Sequence, residues 1–407
     1  MRQCRLAVRI AGIPAAVLFL AGALTGATPT GASAVACAAV TGFQPPNPGT
    51  NNFLTSVAAV SPCDAWAVGG YYFSDVNIRQ TLIVHWDGSA WAQQPSPNPG
   101  GPAGISDLNG VAATSPSNAW AVGSYSDGGA QRTLVEHWNG AAWTRAPSPN
   151  RGGPANTLNA VAAVSASNAW AVGSTGFSRT LIEHWNGKAW KIVPSPTPAS
   201  GAELLGVAAT SASNAWAVGA TASSKSTVIL HWNGAAWKRV TSPNPGAGNG
   251  LRAVTALSAR SAWAVGFYND DAVDRTLIEH WNGSRWTRVA SRSPGVSGSF
   301  LNGVAAASAR NVWAVGRYTS NNAAFSTLIE HWNGAAWRRV ASPGLSSAHT
   351  GFFGAAASSS RDVWAVGSYG NGAMEQTLAV HCCQAGQTRR PAGTPAARGR
   401  AWPFRCA

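Results

Sequence analysis

Seven copies of one short pattern, AWAVG or VWAVG, limit what this chain can fold into. Their tryptophans are Trp66, Trp120, Trp170, Trp216, Trp263, Trp313 and Trp364, spaced by 54, 50, 46, 47, 50 and 51 residues. A second pattern follows six of them, as in TLVEHWNGAAW from Thr133 and TLIEHWNGKAW from Thr180. A period of about 40–50 residues is the signature of propellers and solenoids rather than of one continuous core.

One period divides into four short strands, here lettered A to D. LNGVAAVS (158–165) is A, AWAVG (169–173) is B, TLIEHW (180–185) is C and KAWKIV (188–193) is D. Asn186-Gly187 joins C to D, and Asn-Gly supplies the two positive φ values that a tight hairpin turn needs. Ser165 to Asn168 turns A into B, where Asn bonds its own backbone. The proline-rich PSPTPAS that follows D excludes a helix there. Four antiparallel strands per period describe propeller blades. The expectation is an all-β fold, a seven-bladed β-propeller of four-stranded antiparallel blades.

The seventh unit stops early. His381 is followed by CCQAGQTRRPAG where the other units carry WNGxxW or WDGxxW. The segment from Val40 lines up with the one from Trp91, so an N-terminal strand is expected to close the last blade and cover its edge. The domain plan is a signal peptide over 1–34, a propeller over 38–381 and a divergent, disordered tail over 382–407. The tail's composition also fits a shifted reading frame. Arg2, Arg5 and Arg9, an apolar run from Ala11, and Ala32-Ser33-Ala34 make up the signal. Pro14 and several glycines break the apolar run, so no membrane span is expected once the signal is removed. The protein is expected outside the cell or on its wall, where disulfides form.

The repeat also settles how to read TLIEHWNGKAW, which resembles the rim of an active site. Seven of the eight histidines occupy one repeat position, and symmetry spreads such residues around a ring instead of gathering them at a metal. They are read as structural, with His137 and His184 as examples. Nineteen of the twenty tryptophans also fall in the repeat, which makes them inter-blade filler. Trp120, Trp138, Trp143, Trp170, Trp185 and Trp190 represent them. The glutamate before the histidine (136, 183, 279, 330) is an optional hydrogen-bonding partner between blades. No cofactor and no metal site is expected.

The net charge of +14 has its source at the ends. Three arginines in the signal and five in the tail leave +6 for the repeats, without the basic stripe that nucleic acid requires. Five cysteines follow the signal. Cys37 and either Cys382 or Cys383 flank the closure and are expected to staple it, with Cys37–Cys63 as the alternative pairing.

AWAVG followed by HWNGxxW resembles the kelch-type blade, and is still more similar to the Trp-rich propeller repeats of secreted actinobacterial proteins. The resemblance spans residues 40–381 and implies the fold. Kelch-type propellers include a copper oxidase built on tyrosine, cysteine and histidine, and that grouping cannot be placed here.

Function is sought in the B–C loops, which differ while the A–B and C–D turns stay nearly constant. All six tyrosines start these loops, and Tyr71, Tyr125, Tyr268, Tyr318 and Tyr369 are candidate ligand contacts. Asp270, Asp271 and Asp274 form the one cluster of loop acids and join them. The expected function is a secreted, monomeric, non-catalytic scaffold binding a protein or polysaccharide through the B–C/D–A loop face. The alternatives are a glycan-active hydrolase or lyase, which needs paired carboxylates, and a structural envelope protein.

Overall fold

The structure, a computed structural model, describes residues 44–382 apart from 73–77, 127, 154, 177, 321–323, 343–348, 373 and the side chain of Cys382. The expected signal and the tail beyond Cys382 lie outside the described residues.

The unit read from sequence folds as four antiparallel strands, Asn156–Ser165, Asn168–Thr175, Arg179–Trp185 and Trp190–Ile192. Gly187 has φ +88° in the C–D turn, and Asn186 accepts the backbone N–H groups of Lys188 and Ala189. The AWAVG strand is buried throughout because sheet neighbours flank it on both sides and other units cover both faces. Its tryptophan is at most 2 % exposed in every unit.

Strand A carries a bulge at the same place in every unit. Register is lost across Thr55, Asn109, Asn159, Leu205, Arg252, Asn302 and Phe353. A bulge kinks its strand and re-aims the extra residue. The bulged strand then crosses close over the AWAVG glycine. A Cβ on Gly69, Gly123, Gly173, Gly219, Gly266, Gly316 or Gly367 would sit 1.9–2.0 Å from a strand A carbonyl oxygen. No side chain fits there, which explains a glycine at the end of every AWAVG.

The expectation of seven four-stranded blades closed by an N-terminal strand is overturned. Five sheets are built of four-stranded antiparallel sets, one of eight strands and four of four, and a sixth has three. The eight-stranded sheet runs from Asn51 to Arg145, and one parallel bridge, Arg79 to Ile105, joins its two sets. The same kind of bridge recurs in isolation at Gln131–Ala155 and Asp274–Gly298. The last sheet has three strands among the described residues, Gly351–Ser359, Asp362–Gly370 and Glu375–Cys382, and its sequence abandons WNGxxW after His381.

The expected closing strand from Val40, in line with Trp91–Gln94, lies outside the described residues, and 44–50, which follow it, are not a strand. Residues 44–50 dock on the last sheet through hydrogen bonds. The Thr377 backbone N–H donates to Asn47 Oδ1 (2.7 Å) and its hydroxyl to the Pro45 carbonyl (2.8 Å). Asn52 Nδ2 and Asn51 Oδ1 bond the two backbone groups of Glu375. Trp364 of the last unit packs on Trp86 and Trp91 of the first, with ring centroids 5.2 and 5.1 Å apart.

That contact is one step of a ladder. Trp120 lies 4.8 and 5.1 Å from Trp185 and Trp190 of the next unit, and Trp170 lies 4.9 and 5.2 Å from Trp232 and Trp237. Trp138 and Trp143 meet Trp66 in the same way. The histidines stack on the AWAVG tryptophan of their own unit, His137 on Trp120 and His184 on Trp170, at 4.2 and 4.1 Å. His137 Nε2 is hydrogen-bonded to Asn118 Oδ1 at 2.8 Å. Both residue types sit inside the packing.

Candidate functional site

Strand A of each unit lines one cavity of about 190 Å³ on the axis of the ring. The bulge residues face it. Four of their side chains form part of a belt, each donating to a carbonyl of the next unit. Thr55 Oγ1 bonds Leu108 O (2.8 Å), Asn109 Nδ2 bonds Leu158 O (2.9 Å), Asn159 Nδ2 bonds Leu204 O (2.9 Å) and Asn302 Nδ2 bonds Phe352 O (2.7 Å). Leu205 and Phe353 cannot donate, and Arg252 reaches Asn302 Oδ1 instead, at 2.6 Å.

Toward the loop face, two residues of each unit pair in register: Phe53 with Gly70, Asp107 with Ser124, Thr157 with Ser174, Glu203 with Ala220, Gly250 with Phe267, Phe300 with Arg317 and Gly351 with Ser368. These positions vary while their neighbours in AWAVG do not. They also differ in character around the ring. The second and fourth units carry Asp107 and Glu203, the first carries Phe53, and the fifth and sixth carry Phe267, Phe300 and Arg317.

On the acidic side, Arg79 Nη1 lies 3.0 Å from Asp107 Oδ2, while Asp107 Oδ1 is buried without a partner. Burial raises the Asp107 carboxyl, and the Arg79 charge opposes the rise. Glu203 Oε1 accepts from Asn159 Nδ2 (2.9 Å). On the cationic side, the Arg252 guanidinium lies 5.2 Å from the Phe267 ring and 5.3 Å from Phe300. Arg317 lies 4.3 Å from Phe325 and 6.0 Å from Phe300. Gly250 and Gly351 make room: a Cβ on Gly250 would meet the Phe267 ring at 2.9 Å, and one on Gly351 the Arg317 stem at 3.3 Å. Burial lowers Arg252 to about 10, the Arg317 charge adds to this, and Asp274 opposes it.

The tyrosines expected to meet a ligand lie within the blades. Tyr71, Tyr125 and Tyr268 are 7–8 % exposed, and Tyr318 and Tyr369 are half-buried. The Tyr71 hydroxyl donates to Gln80 Oε1 at 2.7 Å. Arg145, Arg288 and Arg339 of strand D stack on Tyr125, Tyr268 and Tyr318 and donate to their hydroxyls at 2.6–2.8 Å. An arginine in strand D therefore draws each of these rings into the wall.

The aspartate cluster is also committed locally. Asp271 and Ala272 form the turn, at φ 48° and 69°. Asp270 pairs with Arg275 at 2.8 Å, and Asp274 accepts from Asn269 Nδ2 at 3.1 Å. Among the described residues no group of three His, Cys, Asp or Glu could hold a metal ion, and no helix is long and apolar enough to cross a membrane. Cys63 is disulfide-bonded. Cys37, Cys383 and the side chain of Cys382 lie outside the described residues, so the expected closure pairing does too.

Four glutamates are fully buried between units. Glu136 and Glu183 accept from Ser96 and Ser148 of the preceding unit (3.0 and 2.9 Å), and Glu330 accepts from the Arg292 backbone N–H (3.2 Å). Neither Glu279 oxygen has a partner. Burial holds Glu136, Glu183 and Glu279 up at about 8 and Glu330 at about 7. A carboxyl raised by folding contributes stability that is whole below its unfolded value, near 4.5, and lost as pH rises through 7–8. Buried His137, His184, His231, His280 and His331 are shifted down, so their contribution is whole above about 6.5 and lost on acidification. Above pH 6.5 the raised carboxyls, chiefly the four glutamates, set the slope. Melting temperature is expected to fall between pH 6.5 and 8.5, and Glu279→Gln to make that fall shallower. A thermal melt at each pH checks both, and an unchanged slope would refute the assignment.

No family model matches the chain, and no curated protein matches it. Solved structures do. One of YCF48, described as bound to a D1 peptide, has 14% identity and a TM-score of 0.53, covering 86% of this chain and 96% of that one. YCF48 from Cyanidioschyzon merolae has 17% identity and a TM-score of 0.53, covering 84% and 98%. The chain is a β-propeller. At such identities the likeness shows the fold alone. A fucose-specific lectin from Aleuria aurantia lies further off, with a TM-score of 0.43 at 11% identity over 72% of this chain and 95% of that one.

The paired strand positions toward the loop face lie outside the B–C loops in which function was expected. The signal was available: aligning the units on the AWAVG tryptophan isolates columns 53/107/157/203/250/300/351 and 70/124/174/220/267/317/368 as variable beside constant neighbours.

Proposed function

We propose that this protein is a secreted, non-catalytic propeller of the Trp-rich, kelch-like type that binds a protein or polysaccharide ligand at the channel mouth on its loop face. The carrying observation is the variation, charged or aromatic in some units and small in others, of the paired strand positions toward the loop face of an otherwise repetitive ring. Variation on a constant scaffold is where recognition resides, and a ring presents such positions to one ligand at once. The disulfide at Cys63 fits an oxidising compartment. The peptide described with YCF48 supports the reading to the extent that this fold can hold a peptide.

The test is sedimentation of the purified mature protein with insoluble polysaccharides and cell-wall material, alongside capture of extracellular proteins, with assay of both bound protein and released sugar. Retention without release is expected. Soluble sugar product would overturn the non-catalytic reading.

A further inference from the structure

We propose that the channel mouth is a site for the free C-terminal carboxylate of a peptide, gripped by Arg252 and Arg317. The inference rests on the binding reading above and names the chemistry of the ligand.

The two guanidiniums approach one phenyl ring, Phe300, and each also lies over a second ring, Arg252 over Phe267 and Arg317 over Phe325. Among the described residues neither makes an ion pair within 4.0 Å, although Asp274 and Glu375 lie near enough to be felt. Glu375 accepts from Ser368, and Asp274 accepts from Asn269. Arg317 Nε is buried with no hydrogen-bond partner. Two like charges brought together, partly desolvated and short of acceptors form a site that an anion would complete. A planar carboxylate suits the fork of a guanidinium.

The surroundings favour a peptide end over a sugar acid. The three phenyl rings beside the guanidiniums offer apolar surface for a terminal side chain. A uronate carries hydroxyls on its ring edges that would each need a partner. Asn109, Asn159 and Asn302, the amides nearest the axis, already donate to neighbouring carbonyls. Of the two arginines, Arg252 also lines the cavity of about 190 Å³ on the axis, which is too small for a polymer to pass through.

Calorimetric titration of the mature protein with N-acetyl-Gly-Ala-Phe and N-acetyl-Gly-Ala-Leu, each as free acid and as amide, and with tri-galacturonate, decides the matter. The acids are expected to bind about tenfold or more tighter than the amides, and Arg317→Gln to remove that preference. Arg317→Lys keeps the charge but not the fork and is expected to fall between the two. Each variant's melting temperature reports whether the fold is intact. Equal binding of acid and amide would overturn the proposal. Tri-galacturonate binding in place of the peptides would overturn the peptide but leave a ligand at the mouth. No binding of any of these probes, with Arg317→Gln retained on bulk material as well as wild type, would overturn both the carboxylate and the mouth.

Discussion

Gly219→Ala is expected to destabilise the propeller by at least about 3 kcal/mol, enough to unfold a chain of ordinary stability. The added Cβ would sit 1.9 Å from the Glu203 carbonyl oxygen, with the Leu204 backbone 2.9 Å away. Neither neighbour is a flexible side-chain end. Relief requires the bulge at Leu205 to move, and with it the strand that lines the channel. Gly152→Ala is the control. Nothing lies within 4 Å of its added Cβ, and the change is expected to fall within about 0.5 kcal/mol of zero. Urea unfolding followed by tryptophan fluorescence measures both. A tolerated Gly219→Ala would mean that the bulge is not the rigid element described.

The second large effect concerns closure of the ring. Trp364→Ala is expected to cost about 3–5 kcal/mol. It removes a ring that meets both Trp86 and Trp91 edge-on and that stacks on His381 at 4.2 Å. Trp313→Ala makes the informative comparison. Trp313 is equally buried and stacks on His331, but no tryptophan pair from the last unit faces it among the described residues. Its Nε1 donates instead to Asn311 Oδ1 at 2.7 Å. The cost at Trp313 is expected to be lower by about 1 kcal/mol or more, the contribution of aromatic pairing beyond area. Equal costs would show that the contact between last and first units does not bind the ring.

Much of this was legible in the sequence because symmetry repeats its own evidence. A tryptophan or histidine that recurs once per unit reports a packing position, and Trp120, Trp170, His137 and His184 lie where that argument puts them. The strand limits of the third unit also match its turn signals closely. The sheet count was not legible, because one bridge at Arg79 merges two sets and backbone pairing leaves no trace in composition. Nor was the docking of Pro45 and Asn47 on Thr377, which uses side chains and a carbonyl outside any strand. The arginine partners of Tyr125, Tyr268 and Tyr318 were not legible, because they sit twenty-odd residues downstream in strand D, beyond the local pattern. The mouth residues escaped notice for the opposite reason. Phe300 and Arg317 look like ordinary strand residues until the register sets them opposite each other.

Amide hydrogen exchange with and without the retained ligand tests the central claim most directly. If the loop-face mouth is the binding site, protection on binding will appear in 105–109, 155–159, 299–303 and 350–354, where strand A enters the channel. Protection confined to the C–D hairpins, such as 138–143 and 185–190 on the opposite face, would contradict it.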